Sequence, residues 1–403
     1  MKVALLSFEY PPATGFGGIG SYTWHHARAL AALGHQVHVL AGARQPQPLQ
    51  SEDADGVRVH RFWAGGAVMR TFHSLGTFRL WWTRQRLQNA WSMYHGLLAL
   101  QREHRYDVVE MPECGAEGAL VTRWMRVPTV VRMHSPSQLI MRYYDVRQAD
   151  ITMCSAIERQ PIRRATALTA CSAFVAGEVA GALGINRSMH VITNGLDLPW
   201  FDSTAAADDV YDRYALPRRQ LMILFAGRME PRKGIAVCPD IAASILERFD
   251  VTFVFAGDDL FKHMTATLLP SLAGRALKGS IHWLGPLPLP EVRTLTRAAD
   301  IVLIPSLWEN CPYSCLEAMA AGRSVVASAQ GGMPELIQDG VNGLLATPGD
   351  AASFVERIER LIGDASLRTR LGAAARDTIV RRHAHTDVAQ QAVEVYRSAI
   401  QAA

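Results

Sequence analysis

Arg228 and Lys233 stand in the segment Gly227-Arg228-Met229-Glu230-Pro231-Arg232-Lys233-Gly234, directly after the apolar run Leu221–Ala226. Two cations held at the end of a strand can neutralise a diphosphate. Glu309 and Glu317 lie eight residues apart, one just past the apolar run Ile301–Pro305 and one inside Leu316-Glu317-Ala318-Met319-Ala320-Ala321. A loop carboxylate and a helix carboxylate can reach one ligand from different heights, and their oxygens accept hydrogen bonds from sugar or ribose hydroxyls. Each signal alone is weak, because basic loops are commonly solvated and acidic pairs commonly sit at surfaces or helix starts. For Arg232 the solvated reading is preferred. Arg228 and Lys233 are read as ligand groups because their loop occurs together with the acidic pair, and both follow strands, where ligands collect in open α/β sheets.

A glycine loop near the start, Gly15-Phe16-Gly17-Gly18-Ile19-Gly20, spells G-x-G-x-x-G. Such a loop lets backbone N–H groups approach an oxyanion. A dinucleotide site would also need an acidic residue at the end of the second strand. That region reads Ala41-Gly42-Ala43-Arg44, and Pro11-Pro12-Ala13-Thr14 delays the loop. A nicotinamide-dependent oxidoreductase is therefore the weaker reading.

The elements that must position these groups alternate. Short apolar runs read as strands at Val3–Phe8, Gln36–Ala41, Val57–Phe62, Asp107–Met111, Thr129–Met133, Ala167–Ala170 and His190–Ile192, with a helix opening at Ser21. The pattern restarts at Leu221–Ala226 and continues through Val251–Ala256, Ile281–Leu284, Ile301–Pro305 and Ser324–Ala327. Strands alternating with helices predict parallel sheets covered on both faces. The polar, proline-interrupted Asp197–Arg218 reads as a linker, and the chain from Ala351 reads as helical. The expected division is residues 1–199, residues 200–385, and a last helix over 386–403 that returns to the first domain.

With 403 residues, two cores are expected. A net charge of +4 makes no case for nucleic acid. The six cysteines form no Cys-x-x-Cys pair, no His/Cys cluster has zinc spacing, and reduced, buried thiols are expected. No stretch of about 18 apolar residues predicts a membrane span. Phe72, Phe78, Trp81, Trp82, Trp91 and Tyr94, interleaved with Arg70, Arg79, Arg84 and Arg86, fit either helix packing beside an acceptor or an amphipathic membrane surface. Packing is preferred. Glu110, Glu113 and Glu117 after a strand read as cleft-facing groups or as a polar loop.

Taken together, the chain resembles glycosyltransferase family 4, of the GT-B architecture. The strongest part is Glu309–Gly322, which is similar to the family's Glu-x7-Glu signature. The Gly227–Gly234 loop, Asn194-Gly195-Leu196-Asp197, Gly17-Gly18-Ile19-Gly20 and Gly331-Gly332-Met333-Pro334-Glu335 also match in order and spacing. The resemblance implies two Rossmann-like domains with the active site in the cleft between them. It implies that Arg228 and Lys233 bind the donor diphosphate, Glu317 the ribose hydroxyls and Glu309 the transferred sugar. Gly17 and Gly18 are expected to supply backbone contacts, His134 to lie near the sugar, and Asn194, Gly195, Leu287, Tyr313 and Ser314 to complete the donor site.

The implied reaction is retaining transfer of a hexose from a UDP- or GDP-sugar to a hydroxyl of a glycan, lipid-linked or small-molecule acceptor. No metal and no cofactor are expected, since fixed cations can replace a divalent ion and no Asp-x-Asp motif stands out. Polysaccharide biosynthesis at the cytoplasmic face, with at most weak membrane contact and no nucleic-acid partner, fits this reading. Asn310-Cys311-Pro312-Tyr313 departs from the common glycine and phenylalanine after the first Glu, and Pro312 has no N–H to offer a phosphate. Ser135 and Ser324 also depart. A nucleotide-sugar epimerase of the same architecture is the other reading.

Overall fold

The computed structural model describes residues 1–15, 17–64, 80–203 and 209–403. Of the groups singled out above, Phe16, Arg70, Phe72, Phe78 and Arg79 lie outside the described residues. The chain forms two compact units, Met1–Asp197 with His385–Ala403, and Leu198–Ala384.

The first unit runs β1 (Lys2–Ser7), α1 (Gly18–Ala32), β2 (Gln36–Ala41), β3 (Gln47–Ala54), β4 (Val57–Trp63), α2 (Trp81–His104), β5 (Val108–Pro112), β6 (Thr129–Met133), α3 (Gln148–Arg164), β7 (Ala167–Ala170), α4 (Ala173–Leu183) and β8 (His190–Val191). Its sheet has the order β3-β4-β2-β1-β5-β6-β7-β8. All pairings are parallel except β3 with β4. The central strands are buried on both faces, which is why they read as continuous apolar runs.

The edge strand β3 is mostly exposed, and its polar sequence hides it from a hydrophobicity reading. It is joined to β4 through Asp55 and Gly56, both at positive φ (53° and 77°), as an Asp-Gly hairpin requires. Pro48 and the charges Glu52 and Asp53 suit an edge that must not pair further. Helix α1 begins at Gly18, not at Ser21. Gly17 takes the cap position, and the Ser21 amide already donates to the Gly17 carbonyl at 3.0 Å.

The C-terminal helix (His385–Gln401) belongs to this unit. Val388, Ala392, Tyr396 and Ala399 recur at helical spacing and join the core of Val3, Leu5, Val37, Val39, Val108 and Val130. The Tyr396 hydroxyl donates to Glu110 Oε2 at 2.7 Å and meets His26 Nε2 at 2.7 Å. Tyr22 donates to the other Glu110 oxygen at 2.7 Å. Glu110 is thus buried between two tyrosine hydroxyls in the interior of the unit.

Burial lowers the His26 pKa to about 4, with Arg132 acting the same way and Glu110 opposing. Between pH 4 and 6.5 the unfolded chain therefore binds more protons at His26 than the native one. That share of the stability is complete above about pH 6.5 and is lost as the pH falls toward 4. We expect His26→Gln to flatten the fall in urea midpoint between pH 6.5 and pH 4.5. An unchanged pH slope in the variant would contradict the assignment.

The second unit runs β9 (Leu221–Ala226), α5 (Cys238–Leu246), β10 (Val251–Ala256), β11 (Ser280–Trp283), α6 (Leu289–Ala298), β12 (Ile301–Ile304), α7 (Tyr313–Ala320), β13 (Ser324–Ser328), β14 (Leu344–Ala346), α8 (Ala351–Gly363) and α9 (Ala365–Arg382). The sheet order is β11-β10-β9-β12-β13-β14, and every pairing is parallel. Its core gathers Ile223, Phe253, Phe255, Leu303, Val326 and Phe354. The stretch read as a linker holds helical turns at Leu198–Asp202 and Asp209–Arg213, both in this unit. Among the described residues no helix is long and apolar enough to cross a membrane. None of the six cysteines is in a disulfide, and all but the half-buried Cys114 are buried.

Candidate active site

In the second unit, β9 leads to β10 and β11 on one side, while β12 leads to β13 and β14 on the other. The strand order therefore reverses between the neighbours β9 and β12. A crevice beyond the carboxyl ends of such a pair is where open α/β sheets take ligands. The Gly227–Gly234 loop follows β9, and the segment from Pro305 to Pro312 follows β12.

The two loops are stitched together. Pro231–Lys233 make one 3-10 turn, and Gly234 ends it at φ +72°. A Cβ on Gly234 would stand 1.9 Å from the Pro305 carbonyl oxygen. The Leu307 amide donates to the Arg232 carbonyl at 2.8 Å. From the other side, Gly331 sits at φ +67°, where a Cβ would meet the Glu309 carbonyl oxygen at 2.0 Å. The Gly332 amide donates to that same oxygen at 2.9 Å.

This framework brings the charges together. Lys233 Nζ donates to Glu309 Oε1, Arg232 Nη1 lies 3.3 Å from Glu309 Oε2, and Ser306 Oγ donates to Oε1 at 3.1 Å. Burial raises the Glu309 pKa, but the Lys233 and Arg232 charges and these hydrogen bonds outweigh it, so the carboxyl is held below its ordinary range. Burial lowers the Lys233 pKa against the pull of Glu309.

Arg232 is not solvated, as its sequence position led us to expect. It is buried between Glu230, at 2.9 Å, Glu309 and the Trp308 carbonyl, at 3.1 Å. Arg228 is the outward cation of the loop: its side chain is 59% exposed and 3.3 Å from Glu230. Three guanidinium or ammonium groups thus share two carboxylates, leaving net positive charge at the switch point.

Glu317, on α7, accepts from Arg293 Nε of α6 at 3.1 Å, and both side chains are buried. The Arg293 guanidinium lies 3.5 Å above the Trp200 ring. Burial raises the Glu317 pKa against Arg293, and burial lowers that of Arg293. Tyr313 and Ser314 open α7 behind Pro312, so their amides stand at a helix N-terminus, which favours anions. Leu287 is half-buried in the turn after β11, where the Gly285 carbonyl accepts from the Gly257 amide at 2.8 Å.

The first unit has its own switch point, between β1 and β5. Gly17 and Gly18 lie at the start of α1, where the first amides lack intrahelical partners. A Cβ on Gly17 would meet Glu9 Oε2 at 2.5 Å, whereas one on Gly18 would enter open space. Beyond β5 and β6, Glu113 accepts from the His134 amide at 2.8 Å and the Ser135 amide at 2.5 Å. Burial drives the Glu113 pKa up to about 8 and holds that of His134 well below the ordinary value. Glu117 accepts from the Phe8 amide at 2.9 Å. Glu110, Glu113 and Glu117 are therefore not a solvated polar loop: all three are buried, Glu110 between two tyrosines of helices and Glu113 and Glu117 on backbone amides that follow strands.

Asn194 and Gly195 also take internal tasks. Asn194 Oδ1 accepts from Arg132 at 3.0 Å, and a Cβ on Gly195 would stand 2.7 Å from His385 Cα of the C-terminal helix. Both lie in the first unit, and these contacts are internal to it.

Comparisons with known proteins follow the same two-unit division. The family model described as Glycosyltransferase Family 4 matches residues 16–199, and that described as Glycosyl transferases group 1 matches residues 220–364. The chain belongs to the family 4 glycosyltransferases. It is 27% identical to an uncharacterized glycosyltransferase of Methanocaldococcus jannaschii, over 100% of this chain and 99% of the relative. It is 29% identical to D-inositol 3-phosphate glycosyltransferase 1 of Catenulispora acidiphila, over 96% and 91%. Among solved structures, sucrose-phosphate synthase of Thermosynechococcus elongatus superposes with a TM-score of 0.80 at 20% identity, covering 100% of both chains. The fold is GT-B, and the enzyme is a transferase. These likenesses favour transfer over the oxidoreductase and epimerase readings.

Residues of this glycosyltransferase that the sequence reading passed over now have places. Arg293 and Trp200 hold Glu317, Glu230 and Ser306 orient the cations and Glu309, and Glu9 flanks the glycine loop. Nothing in the local sequence marks Arg293, because its partner is 24 residues away. Helix α2 also proves less amphipathic than its arginines imply. Arg86 is buried, 3.1 Å from Glu158 and 2.9 Å from Ser137, while Trp81 is exposed and Trp82, Trp91 and Tyr94 are half-buried.

Gly234→Ala should damage this site severely. The left-handed backbone costs a side chain about 1–3 kcal/mol, and the methyl group would displace the Pro305 carbonyl. The expected result is a lower urea midpoint together with weakened binding of nucleoside diphosphate, read by calorimetry. Wild-type binding in the alanine variant would contradict the stitched-loop geometry.

Proposed function

We propose that this glycosyltransferase moves a hexose from a UDP- or GDP-sugar to a hydroxyl acceptor, with retention of anomeric configuration and without a divalent metal. The single observation that carries this reading is the placing of Arg228, Arg232, Lys233, Glu309 and Glu317 around one switch point. In it, the donor diphosphate lies over the Gly227–Gly234 loop, against Arg228 and Lys233 and the opening amides of α7. Glu309 accepts from hydroxyls of the transferred sugar and Glu317 from those of the ribose. Leu287 stands beside the base. The resemblance to the family assigns Gly17, Gly18 and His134 of the first unit to the sugar and the acceptor.

As the bond from the anomeric carbon to the β-phosphate oxygen breaks, negative charge grows on the phosphate and the sugar becomes oxocarbenium-like. Fixed cations aimed at that charge lower the barrier electrostatically. The acceptor oxygen bonds to the same face of the anomeric carbon, and its proton passes to the departing phosphate. The burial that keeps His134 uncharged suits a hydrogen-bonding role beside the sugar.

A thermal-shift screen of UDP-, GDP-, ADP- and dTDP-sugars, each in excess EDTA, tests the donor and metal parts together. The expected result is a raised melting temperature with a UDP- or GDP-sugar that EDTA leaves unchanged. A shift that appears only with added Mg²⁺ or Mn²⁺ would reverse the metal-independent reading. The anomeric coupling in the proton NMR spectrum of the product tests retention.

A further inference from the structure

Three histidines far apart in sequence meet in the first unit. His38 lies on β2, His60 on β4, and His104 ends α2. The parallel register pairs His38 with Arg58 and Leu40 with His60, so His38 and His60 point to the same face of the sheet. Their nitrogens face each other, His38 Nδ1 to His60 Nε2 at 2.9 Å. One ligand atom from each of the three histidines lies within 4.8 Å of the others. The Tyr106 hydroxyl is 3.0 Å from the same His38 nitrogen. Ser51 Oγ is 2.7 Å from His60 Nδ1, which orients that ring with Nε2 inward, as an outer-shell partner orients a metal-binding imidazole.

From this geometry we infer a zinc-binding site formed by His38, His60 and His104, with the Tyr106 oxygen or a water in the fourth position. Zinc takes imidazole nitrogens at about 2.0–2.1 Å in a tetrahedron, so two ligating nitrogens stand about 3.3 Å apart. Side-chain shifts of about half an ångström open the 2.9 Å His38–His60 contact to such an edge, and rotation of the half-buried His104 ring closes the other edges from within 4.8 Å. Access exists, because His104 also lines an open surface depression with Lys2, Glu103, Arg105 and Asp107. Lys2 and Arg58 add positive charge near His38, while Glu103, 3.8 Å from His104, offsets part of it. The site is structural: its metal clamps β2, β4 and the end of α2. Residues His104 and Tyr106 precede β5, so the cluster sits toward the amino ends of the strands, away from His134 and Gly17 at their carboxyl ends. A reading of zinc spacing along the sequence does not see this group because its members are 22 and 44 residues apart, His38 and His60 joined by sheet register and His104 brought in by the end of α2.

The test uses the full chain without a histidine tag, stripped with EDTA and dialysed, then titrated with ZnCl₂ by calorimetry and with CoCl₂ by visible absorption. We expect one equivalent of zinc per chain, a higher melting temperature with zinc, and intense tetrahedral Co²⁺ bands. His104→Gln, at a half-buried position, should keep its circular dichroism and bind zinc at least about tenfold more weakly. Absence of saturable one-to-one uptake by the wild-type chain would overturn the site, as would undiminished uptake by a folded His104→Gln. Should that variant unfold, the wild-type Co²⁺ spectrum decides: octahedral bands alone would overturn the assignment.

Discussion

Lys233→Ala is expected to abolish the rise in melting temperature that a nucleotide-sugar donor gives the wild-type chain, and to lower kcat/KM by about 10²–10³-fold, the range for removing one fixed electrostatic stabiliser of developing charge. Lys233 is half-buried against Glu309 at the point where the loops after β9 and β12 are joined. Its ammonium is held by Glu309 and is not shared with Glu230, whereas Arg228 is largely exposed and Arg232 is engaged by both Glu230 and Glu309. Removing it leaves Arg232 beside Glu309, so the carboxylate keeps a partner and the unit should still fold. The separation of folding from donor response makes the result readable: a normal urea midpoint with no donor shift. Parallel shift and turnover measurements on both chains supply it, and a full donor shift in the variant would count against the diphosphate assignment.

Glu317→Ala is expected to do two things at once. It leaves the Arg293 guanidinium buried without its carboxylate, and breaking one side of a buried pair costs about 3–5 kcal/mol. It also removes the acceptor proposed for the ribose hydroxyls. The double variant Arg293→Met with Glu317→Leu separates the two effects, because an apolar pair of similar volume can replace a buried ion pair at little cost. Urea denaturation should show the single variant strongly destabilised and the double variant near wild type, while neither responds to donor. A double variant that recovers both stability and donor response would show that Glu317 serves packing alone.

Much of this arrangement could be read from residues in order. The strand runs of both halves are legible because parallel strands buried on two faces are nearly all apolar, as at Val251–Ala256 and Thr129–Met133. The acidic pair and the cationic loop are legible because both cling to strand ends. What stays hidden is whatever depends on distance in sequence. Arg232 looks solvated until the loop after β12 folds over it, and Arg293 has no local mark. The three-histidine cluster exists only through register. Strand β3 is missed because polarity, not apolarity, protects an edge, although Asp55-Gly56 is a legible hairpin signal. The internal contacts of Asn194 and Gly195, with Arg132 and the C-terminal helix, are likewise invisible in the motif that holds them.

The most direct measurement is a crystal structure of the chain with bound nucleoside diphosphate, soaked at a concentration that gives the full thermal shift. Both phosphates should lie within hydrogen-bonding reach of Arg228 and Lys233, with Glu317 on the ribose. Phosphates seated elsewhere, with the Gly227–Gly234 loop empty, would contradict the account at its root.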